Sequence, residues 1–463
     1  MIGYSVNKAR YLIICFLLFI LGVPSCLGQD TLGVMTYNVL DYGDYCQGTP
    51  AVMTTYLKTI VKYANPDLLG LVKMQAIKLN SSDVNGISSV GFADTILAGV
   101  LNADYPGKYA YCTLTNVSLS GEMVVLFYNK NKLGFIAVRT LCTFMEDFDF
   151  FKLYYKDPDL STTHDTTFIY VLLNHTQSGN SSADRDQQDT TNLNAIRKMF
   201  YHLPNLIDMG DFNLHNTSEP GYEYAVAPAD TNFRLYDPPF YPENTLHYPI
   251  DWDDNPSLCP PYLTTSTRQS GSIPNSCGTS GGAKDWYDHI LLSPWIVNNT
   301  NYIKYIKGSY KTIGNDGKRV GISINDSTTH GKNTSASSNV INALFQFSNK
   351  YPVMLKLGIT YNTTGQSPPD PNITTGIKDV LPTNELIKMS NPIKDNASIF
   401  FSADMTGQKA IITWYDLVGR LLSTEQYTIE TNEVIRPVSF PPGMYFMHIQ
   451  VADYIVSLRI VKE

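Results

Sequence analysis

This chain of 463 residues is short of charge, and what charge it has leans acidic. Only 16% of residues are charged, with 34 Lys and Arg against 42 Asp and Glu, for a formal net charge of -8. No strongly basic stretch offsets that balance, so a salt-driven, nonspecific grip on nucleic acid is disfavoured, although a local basic cleft stays open. No CxxC spacing points to zinc. No dinucleotide-type glycine pattern accompanies the alternating strands and helices. Beyond the N-terminal end, no segment is long and apolar enough to cross a bilayer, so no transmembrane span is expected in the mature chain. A hydrophobic content of 43% still describes a globular protein, not a disordered one. The length calls for two or three domains.

The N-terminus reads as an export signal over residues 1–28. Lys8 and Arg10 precede an apolar run from Tyr11 to Val23, and small residues lead to Gln29 and Asp30. Cleavage after Gly28 is the preferred reading. The alternative is a lipoprotein signal at Val23-Pro24-Ser25-Cys26, where Pro24 is awkward. Cys15 and Cys26 would leave with the signal, keeping Cys46, Cys112, Cys142, Cys259 and Cys277, an odd set. Export permits disulfides. Cys259 and Cys277 bracket a Pro/Ser/Gly-rich loop and are the expected pair, the alternative being that all five are buried thiols.

Taken in order, 32–40 reads as a strand, 56–63 as a helix and 68–72 as a second buried strand after the Asn65-Pro66-Asp67 break. A helix over 92–103 follows, then strands at 123–128, 150–155 and 167–173, the last running into Asn174 and His175. A helix over 186–201 precedes a strand at 206–210. The stretch from Pro238 to Ala283 is irregular, and it ends in a strand over 285–293. Residues 339–347 and 351–357 close this body, which reads as a two-sheet α/β sandwich over 29–360. Residues 361–385 form an Asn/Thr/Pro/Gly-rich linker. Residues 386–463 change to short alternating strands, a small all-β sandwich.

The run that organises the chain is Leu206-Ile207-Asp208-Met209-Gly210-Asp211-Phe212-Asn213. An apolar strand ends at Gly210. In extended backbone, the two-residue spacing puts Asp211 and Asn213 on one face. A carboxylate beside an amide suits a cation or a phosphate, but an Asp/Asn turn closing a strand reads equally well from this run alone.

Other segments give that run context. Met35-Thr36-Tyr37-Asn38-Val39-Leu40, Pro66-Asp67-Leu68-Leu69-Gly70-Leu71, the Asn174-His175 strand end and Gly210-Asp211-Phe212-Asn213 occur in an order that resembles the endonuclease/exonuclease/phosphatase superfamily of metal-dependent phosphoesterases. Tyr287-Asp288-His289-Ile290-Leu291-Leu292-Ser293 resembles its Asp-containing penultimate strand. Ser348-Asn349-Lys350-Tyr351-Pro352-Val353 stands where the family has Ser-Asp-His-x-Pro-Val. The resemblance implies a four-layer α/β sandwich with a pocket at the strand ends, holding Mg²⁺ or a similar divalent ion. It places Asn38, His175, Asp211, Asn213 and Asp288 at family functional positions. Asn38 and Asn213 would orient phosphate oxygens, Asp211 would position metal or water, His175 would donate to the phosphate, and Asp288 would orient the terminal His.

Two departures alter that expectation. The family's metal-ligand Glu is here Lys73, and its terminal Asp-His is here Asn349 and Lys350. Four carboxylates become two, Asp211 and Asp288, and two ammonium groups arrive, so the local formal charge moves from about -4 to about zero. A metal is then held weakly, if at all, through Asp211. Losing a positioned acid/base group costs about 10²–10⁴ in rate, before the loss of the ion's charge stabilisation. Three alternatives bear on Lys73: its side chain points to solvent with Met74 or Gln75 in its place, its ammonium substitutes for the ion and leaves slow activity, or Glu122 serves as a displaced ligand. His164, His202, His215, His247 and His330 match no family position, and His289 reads as packing. The 31 Tyr read chiefly as sheet packing.

The C-terminal stretches Ser390-Asn391-Pro392-Ile393, Ile412 to Arg420 and Pro442 to Phe446, with Arg459 and Lys462 near the end, resemble the sorting domain of type IX secretion in Bacteroidota. That implies export through the periplasm, engagement of the type IX machinery, and release or surface attachment. The alternative is a carbohydrate-binding sandwich. Function is therefore expected to be that of a secreted, degenerate phosphoesterase, weakly active or inactive, with a pocket for a phosphate-containing ligand or nucleic acid. Two other readings are an active secreted nuclease or phosphodiesterase with a displaced metal ligand, and a surface binding protein or adhesin acting through the Pro238–Ala283 loop.

Overall fold

The computed structural model describes residues 29–44, 46–76, 90–158, 160–163, 166–240, 252, 256–270, 277–299, 302–360, 387–389, 391–401, 405–416, 420–451 and 454–463. The expected export signal, the linker, His164, His247 and the turn centre 417–419 lie outside the described residues. The chain divides near residue 370 into two compact units.

The larger unit starts with strand β1 (Gln29–Tyr42), followed by helix α1 (Pro50–Ala64) and strand β2 (Leu68–Gln75). Pro50 opens α1 at a position where a missing N–H costs nothing, and Asn65 closes it in the left-handed conformation. Met53, Leu57, Ile60 and Val61 form its buried stripe. Helix α2 (Val90–Ile96) leads through a wide turn into β3 (Tyr109–Tyr111) and β4 (Glu122–Asn129). Strands β5 (Leu133–Cys142), β6 (Phe148–Tyr155) and β7 (Phe168–His175) precede helix α3 (Ala183–Met199), strand β8 (Leu206–Asp211) and helix α4 (Pro220–Val226). Strands β9 (Asp288–Leu292), β10 (Ile303–Tyr305) and β11 (Lys311–Thr312), helix α5 (Ser338–Phe347) and strand β12 (Val353–Thr360) complete it.

These strands make two sheets. One runs β10-β12-β1-β2-β4-β3, with β11 also on β12, and the other runs β5-β6-β7-β8-β9. The sheets face each other closely at Gly70, where an added Cβ would stand 2.6 Å from Leu173 and 2.8 Å from Met209. Helices α1 and α5 pack together on the outside of the first sheet, and the Phe347 ring lies 5.5 Å from that of Tyr37 on β1. Helices α3 and α4 cover the second sheet, with Leu193 and Tyr222 against Leu172 and Leu291. Helix, sheet, sheet, helix is the four-layer α/β sandwich expected from the motifs.

Several details depart from expectation. Strand β5 is absent from the sequence reading, because its half-buried middle blurs the alternation that marks a strand. The strand expected over 285–293 shortens to β9, since Asp285 bridges Thr265 instead of joining the sheet. The stretch from Pro238 to Ala283 is irregular as expected, yet much of it is buried where it is described. Phe240, Trp252, Leu263 and Thr264 to Arg268 are buried there. The Cys259–Cys277 pairing is also corrected. Cys277 bonds Cys46 across 231 residues of sequence with their Cα atoms 6.0 Å apart, and Cys259 is a buried free thiol. Closeness along the chain misleads here: the turn after β1 and the segment after residue 276 meet beside Asn349, and only the folded sheets bring them there.

The smaller unit is a two-sheet β sandwich. Strands β13 (Ile387–Met389), β14 (Asn396–Phe401) and β17 (Glu433–Pro437) form one sheet, and β15 (Lys409–Tyr415), β16 (Leu421–Thr428), β18 (Gly443–Val451) and β19 (Tyr454–Lys462) form the other. Alternation drives it: Ala410, Ile412 and Trp414 point in from β15, and Met447, Ile449 and Val451 from β18, to meet Ala397, Ile399 and Phe401 from β14.

Candidate functional site

Register brings the site together. His175 at the end of β7 lies opposite Asp211 on β8, and Asp211 lies opposite Asp288 on β9. These three side chains form one row on the pocket face of the second sheet. Across from them, β1 supplies Asn38, whose Nδ2 donates to Asp211 Oδ2 at 2.8 Å. The backbone N–H of Asn213 donates to Asp211 Oδ1 at 3.1 Å, and the Asn213 side-chain amide donates to the Thr176 carbonyl at 2.8 Å. Both asparagine amides expected to face phosphate oxygens are thus committed to the protein itself.

Lys350 is placed by the segment joining α5 to β12. Arg268, itself buried, donates to the carbonyls of Phe345 and Gln346 at the end of α5. The Ser348 hydroxyl then bonds the Asn38 carbonyl and accepts the Lys350 N–H. Held this way, the Lys350 ammonium reaches Asp211 Oδ2 at 2.7 Å, with both side chains buried. It also lies 4.6 Å from the centre of the Tyr287 ring. Burial would raise the Asp211 pKa, but Lys350 and His175 outweigh it and hold the carboxyl below its ordinary range.

Lys73 enters from a bulge in β2. The pairing with β4 slips between Leu71 and Met74, and Lys73 takes a left-handed backbone, φ 59°. Leu40 and Asp41 do the same at the bulge in β1. Three non-glycine residues in that region mark strain concentrated at one pocket rim. The bulges aim the Lys73 ammonium between Asp41 Oδ2 at 3.5 Å and Glu122 Oε1 at 3.6 Å. Its side chain is 26% exposed, so it is a looser cation than Lys350. Burial lowers its pKa, yet the Glu122, Asp41 and Asp211 carboxylates raise it further than burial lowers it.

His175 completes the group. Its Nδ1 bonds Glu146 Oε2 at 3.0 Å and lies 3.6 Å from Glu122 Oε2. Burial alone would depress it, but Glu146, Asp211 and Glu122 together lift its pKa to about 9. Burial lifts Glu122 to about 7 despite His175 and Lys73 nearby. Sequence reasoning misses Glu146 because it sits in a connection without hydrophobic period, and Asp41 because a bulge at the end of β1 aims it. It also discounts Glu122 for preceding the strand expected at 123–128, whereas Glu122 is the first residue of β4.

The other two positions behave differently. Asn349 donates to the Thr279 hydroxyl at 2.6 Å and carries no charge toward Asp211. It supports the segment beside the Cys46–Cys277 bond, where a Cβ on Gly278 would collide with it at 2.8 Å. Asp288 is fully buried, and neither of its carboxyl oxygens has a donor at hydrogen-bond distance, although the Lys350 charge and the Thr264 hydroxyl act on it from nearby. Burial first, then Asp211, push its pKa well above the usual carboxyl range. His289 is a packing residue as expected, stacked 4.4 Å from Trp286 with Nδ1 on Asp237.

The residues present do not fit a divalent ion at the position the motifs imply. Asp211 Oδ2 is already shared between an ammonium and an amide, and a second ammonium stands on the β2 rim. Glu122, Glu146 and His175 do bring ligand atoms within 4.8 Å of one another. There, against burial, the two acids and Asp211 hold the His175 pKa above the ordinary imidazole value, and Lys73 adds a positive charge beside Glu122.

Comparison with known proteins bears on both units. Residues 390–463 match the model of the secretion system C-terminal sorting domain. No curated protein matches the sequence significantly. Among solved structures, similarity is found to D. rerio TDP2 complexed with a single-strand DNA product, at 14% identity over 71% of this chain and 99% of that one, TM-score 0.42. The human Nocturnin catalytic domain with bound sulfate matches at 13% identity over 72% and 98%, TM-score 0.42. A mannosyl-6-phosphatase of Bacteroides thetaiotaomicron matches at 13% identity over 70% and 99%, TM-score 0.40. The layer order described above stands on this chain's own strand pairing. The C-terminal unit is a sorting domain, and it points to export to the cell surface or beyond.

Proposed function

We propose that the larger unit is a degenerate phosphoesterase: a hydrolase sandwich whose pocket is neutralised from within by Lys73, Lys350 and His175 in place of a divalent ion. The observation that carries this reading is the buried Lys350–Asp211 contact at 2.7 Å. The side chain that would otherwise hold metal or water is bonded to an ammonium, and Asp288, left without a partner, reads as the remnant of a lost Asp–His pair. Metal-assisted hydrolysis would lose both its ion and its terminal imidazole, penalties of about 10²–10⁴ in rate for the imidazole alone. Lys73, partly exposed and held at 3.5 and 3.6 Å from its two acids, is the group able to turn toward a phosphate-type anion.

The test is isothermal titration with Mg²⁺ or Mn²⁺ of the wild type and of Lys73→Glu/Asn349→Asp/Lys350→His. The triple variant gains divalent-ion binding that Asp211→Ala abolishes. Tight pocket binding already present in the wild type, lost on Asp211→Ala, refutes the proposal.

One specific grouping favours a second reading, hydrolysis by a displaced ligand set of Glu122, Glu146 and His175. Metal-dependent turnover of a phosphodiester that falls in Glu122→Gln and in Glu146→Gln alike would select it. In either case the route of export is read as a signal at 1–28, passage through the periplasm, and removal of the sorting domain with release or surface attachment.

A further inference from the structure

Directly behind the pocket row, the same two strands carry a second polar group. Asp211 and His175 face the other sheet. Asp208 and Asn174, an odd number of residues away, face the helices. There they meet Asp189 and Asn192, which α3 turns inward beside Leu193 on a buried face that also carries Arg185 and Gln188. The four side chains line one cavity of about 10 Å³ between β7, β8, α3 and α4, room for one water-sized occupant. All four residues are at most 5% exposed.

Their hydrogen bonding does not close. Asn174 Nδ2 donates to Asp208 Oδ1, which leaves Asn174 Oδ1 buried without a partner. Asn192 is 1% exposed, and neither its Oδ1 nor its Nδ2 has a partner. The nearest guanidinium is committed away from Asp189. Arg185 directs Nε and one terminal nitrogen to the two oxygens of Glu219, at 2.9 and 3.0 Å. Its other terminal nitrogen goes to the carbonyls of Gln177 and Gly179. Burial first, then the Asp186 and Glu219 charges, raise the Asp189 pKa to about 8, and the Arg185 charge offsets part of that rise. Two carboxyls and two carboxamides therefore converge on a cavity whose described lining includes no cation.

We propose that this cavity is a binding site for one hard cation of the calcium class, held by side-chain oxygens of Asp208, Asn174, Asp189 and Asn192. Two carboxylates and two carboxamide oxygens supply at most six oxygens, the low end of what Ca²⁺ takes, and its tolerance of irregular geometry suits ligands drawn from two strands and a helix. Mg²⁺ gives up its water shell reluctantly, and the cavity has no room for that shell. The site is separate from the pocket group, because it lies on the opposite face of β7 and β8. Bound there, the ion would tie α3 to the sheet that presents Asp211 and His175. A single water between protonated carboxyls is the competing occupant.

The test uses the full chain stripped with a chelator. Metal analysis after dialysis against Ca²⁺ yields one ion per chain, and thermal unfolding shows Tm raised by about 5 °C at a hundredfold excess over Kd. Equal concentrations of Mg²⁺, Na⁺ or K⁺ give less. Asp208→Leu and Asn192→Leu, which fill the cavity with apolar volume, abolish both effects. Glu122→Gln and Glu146→Gln keep them, so a failure here is distinguishable from a failure of the pocket proposal. The inference is overturned if the wild type retains no Ca²⁺ and shows no shift, or if the shift survives in Asp208→Leu and disappears in Glu122→Gln.

Discussion

Strands β7 and β8 present two polar groups, one on each face, and the described side chains supply cations to only one of them. On the pocket face, Asp211 has Lys350, Glu146 has His175, and Glu122 and Asp41 share Lys73. On the helix face, Asp189 and Asp208 have carboxamides beside them, and no cation of the chain lines their cavity among the described residues. Neighbouring positions on one strand pair thus differ in whether a lysine or histidine of the chain stands beside their carboxyls. A tethered ammonium is always present and cannot be exchanged, so it gives structure and forfeits Lewis-acid chemistry. An untethered cation must come from solution. Asp288 stands between the two cases, for it sits in the pocket row with no donor at hydrogen-bond distance, and the Lys350 charge and Thr264 hydroxyl only partly offset its burial.

Breaking the tightest internal pair has the largest expected effect. Lys350→Ala leaves Asp211 buried with its charge uncompensated, and urea unfolding registers a loss of about 3–5 kcal/mol. A loss below about 1 kcal/mol would mean that water or another cation takes over, and the contrast between the faces would fail. Next comes the rim. Reduction of Cys46–Cys277, or Cys46→Ser, costs about 2–4 kcal/mol by freeing a long loop in the unfolded chain. Cys259→Ala, a thiol outside that bond, changes unfolding far less.

The third effect is a pH dependence. His175 has its pKa raised from an ordinary value of 6.5 to about 9 in the folded chain, the charges of Glu146, Asp211 and Glu122 outweighing burial. Its stabilising contribution is complete below the unfolded value and is lost as pH rises through the folded one. Glu122, raised from 4.5 to about 7 chiefly by burial, acts with the same sign at lower pH. Stability should therefore decline as pH rises, through Glu122 up to about 7 and then through His175 up to about 9. The His175 part is on the order of 3 kcal/mol. Glu146→Gln flattens that upper part, which thermal scans across the range would record. The smallest effect concerns the orphan. Asp288→Leu removes a buried carboxyl that bonds nothing, and its stability stays within about 1 kcal/mol of the wild type or rises.

Much of this arrangement is legible in the sequence. Gly210-Asp211-Phe212-Asn213 and the Asn174-His175 strand end locate the pocket row, because strand alternation decides which side chains share a face. Lys73 stands out as a reversed charge, and Lys350 as an added one, at positions where the resembled family has Glu and His. What cannot be read depends on contacts remote in sequence. Glu146 reaches His175 from a connection, Asp41 is aimed by a bulge, and Cys46 meets Cys277 only because two sheets have closed. Residues 186–201 read as a helix, but nothing in their pattern says that it turns Asp189 and Asn192 inward. Position alone groups Asn349 with the lysines, and the Thr279 contact makes it a brace for the neighbouring segment instead.

The most direct test of the central claim is turnover of bis-p-nitrophenyl phosphate by the wild type with Mg²⁺, Mn²⁺ or Ca²⁺, measured beside Asp211→Ala. With lysines as the pocket's cations, the two proteins show the same negligible rate, with and without metal. Metal-dependent hydrolysis in the wild type that vanishes in Asp211→Ala would contradict the account.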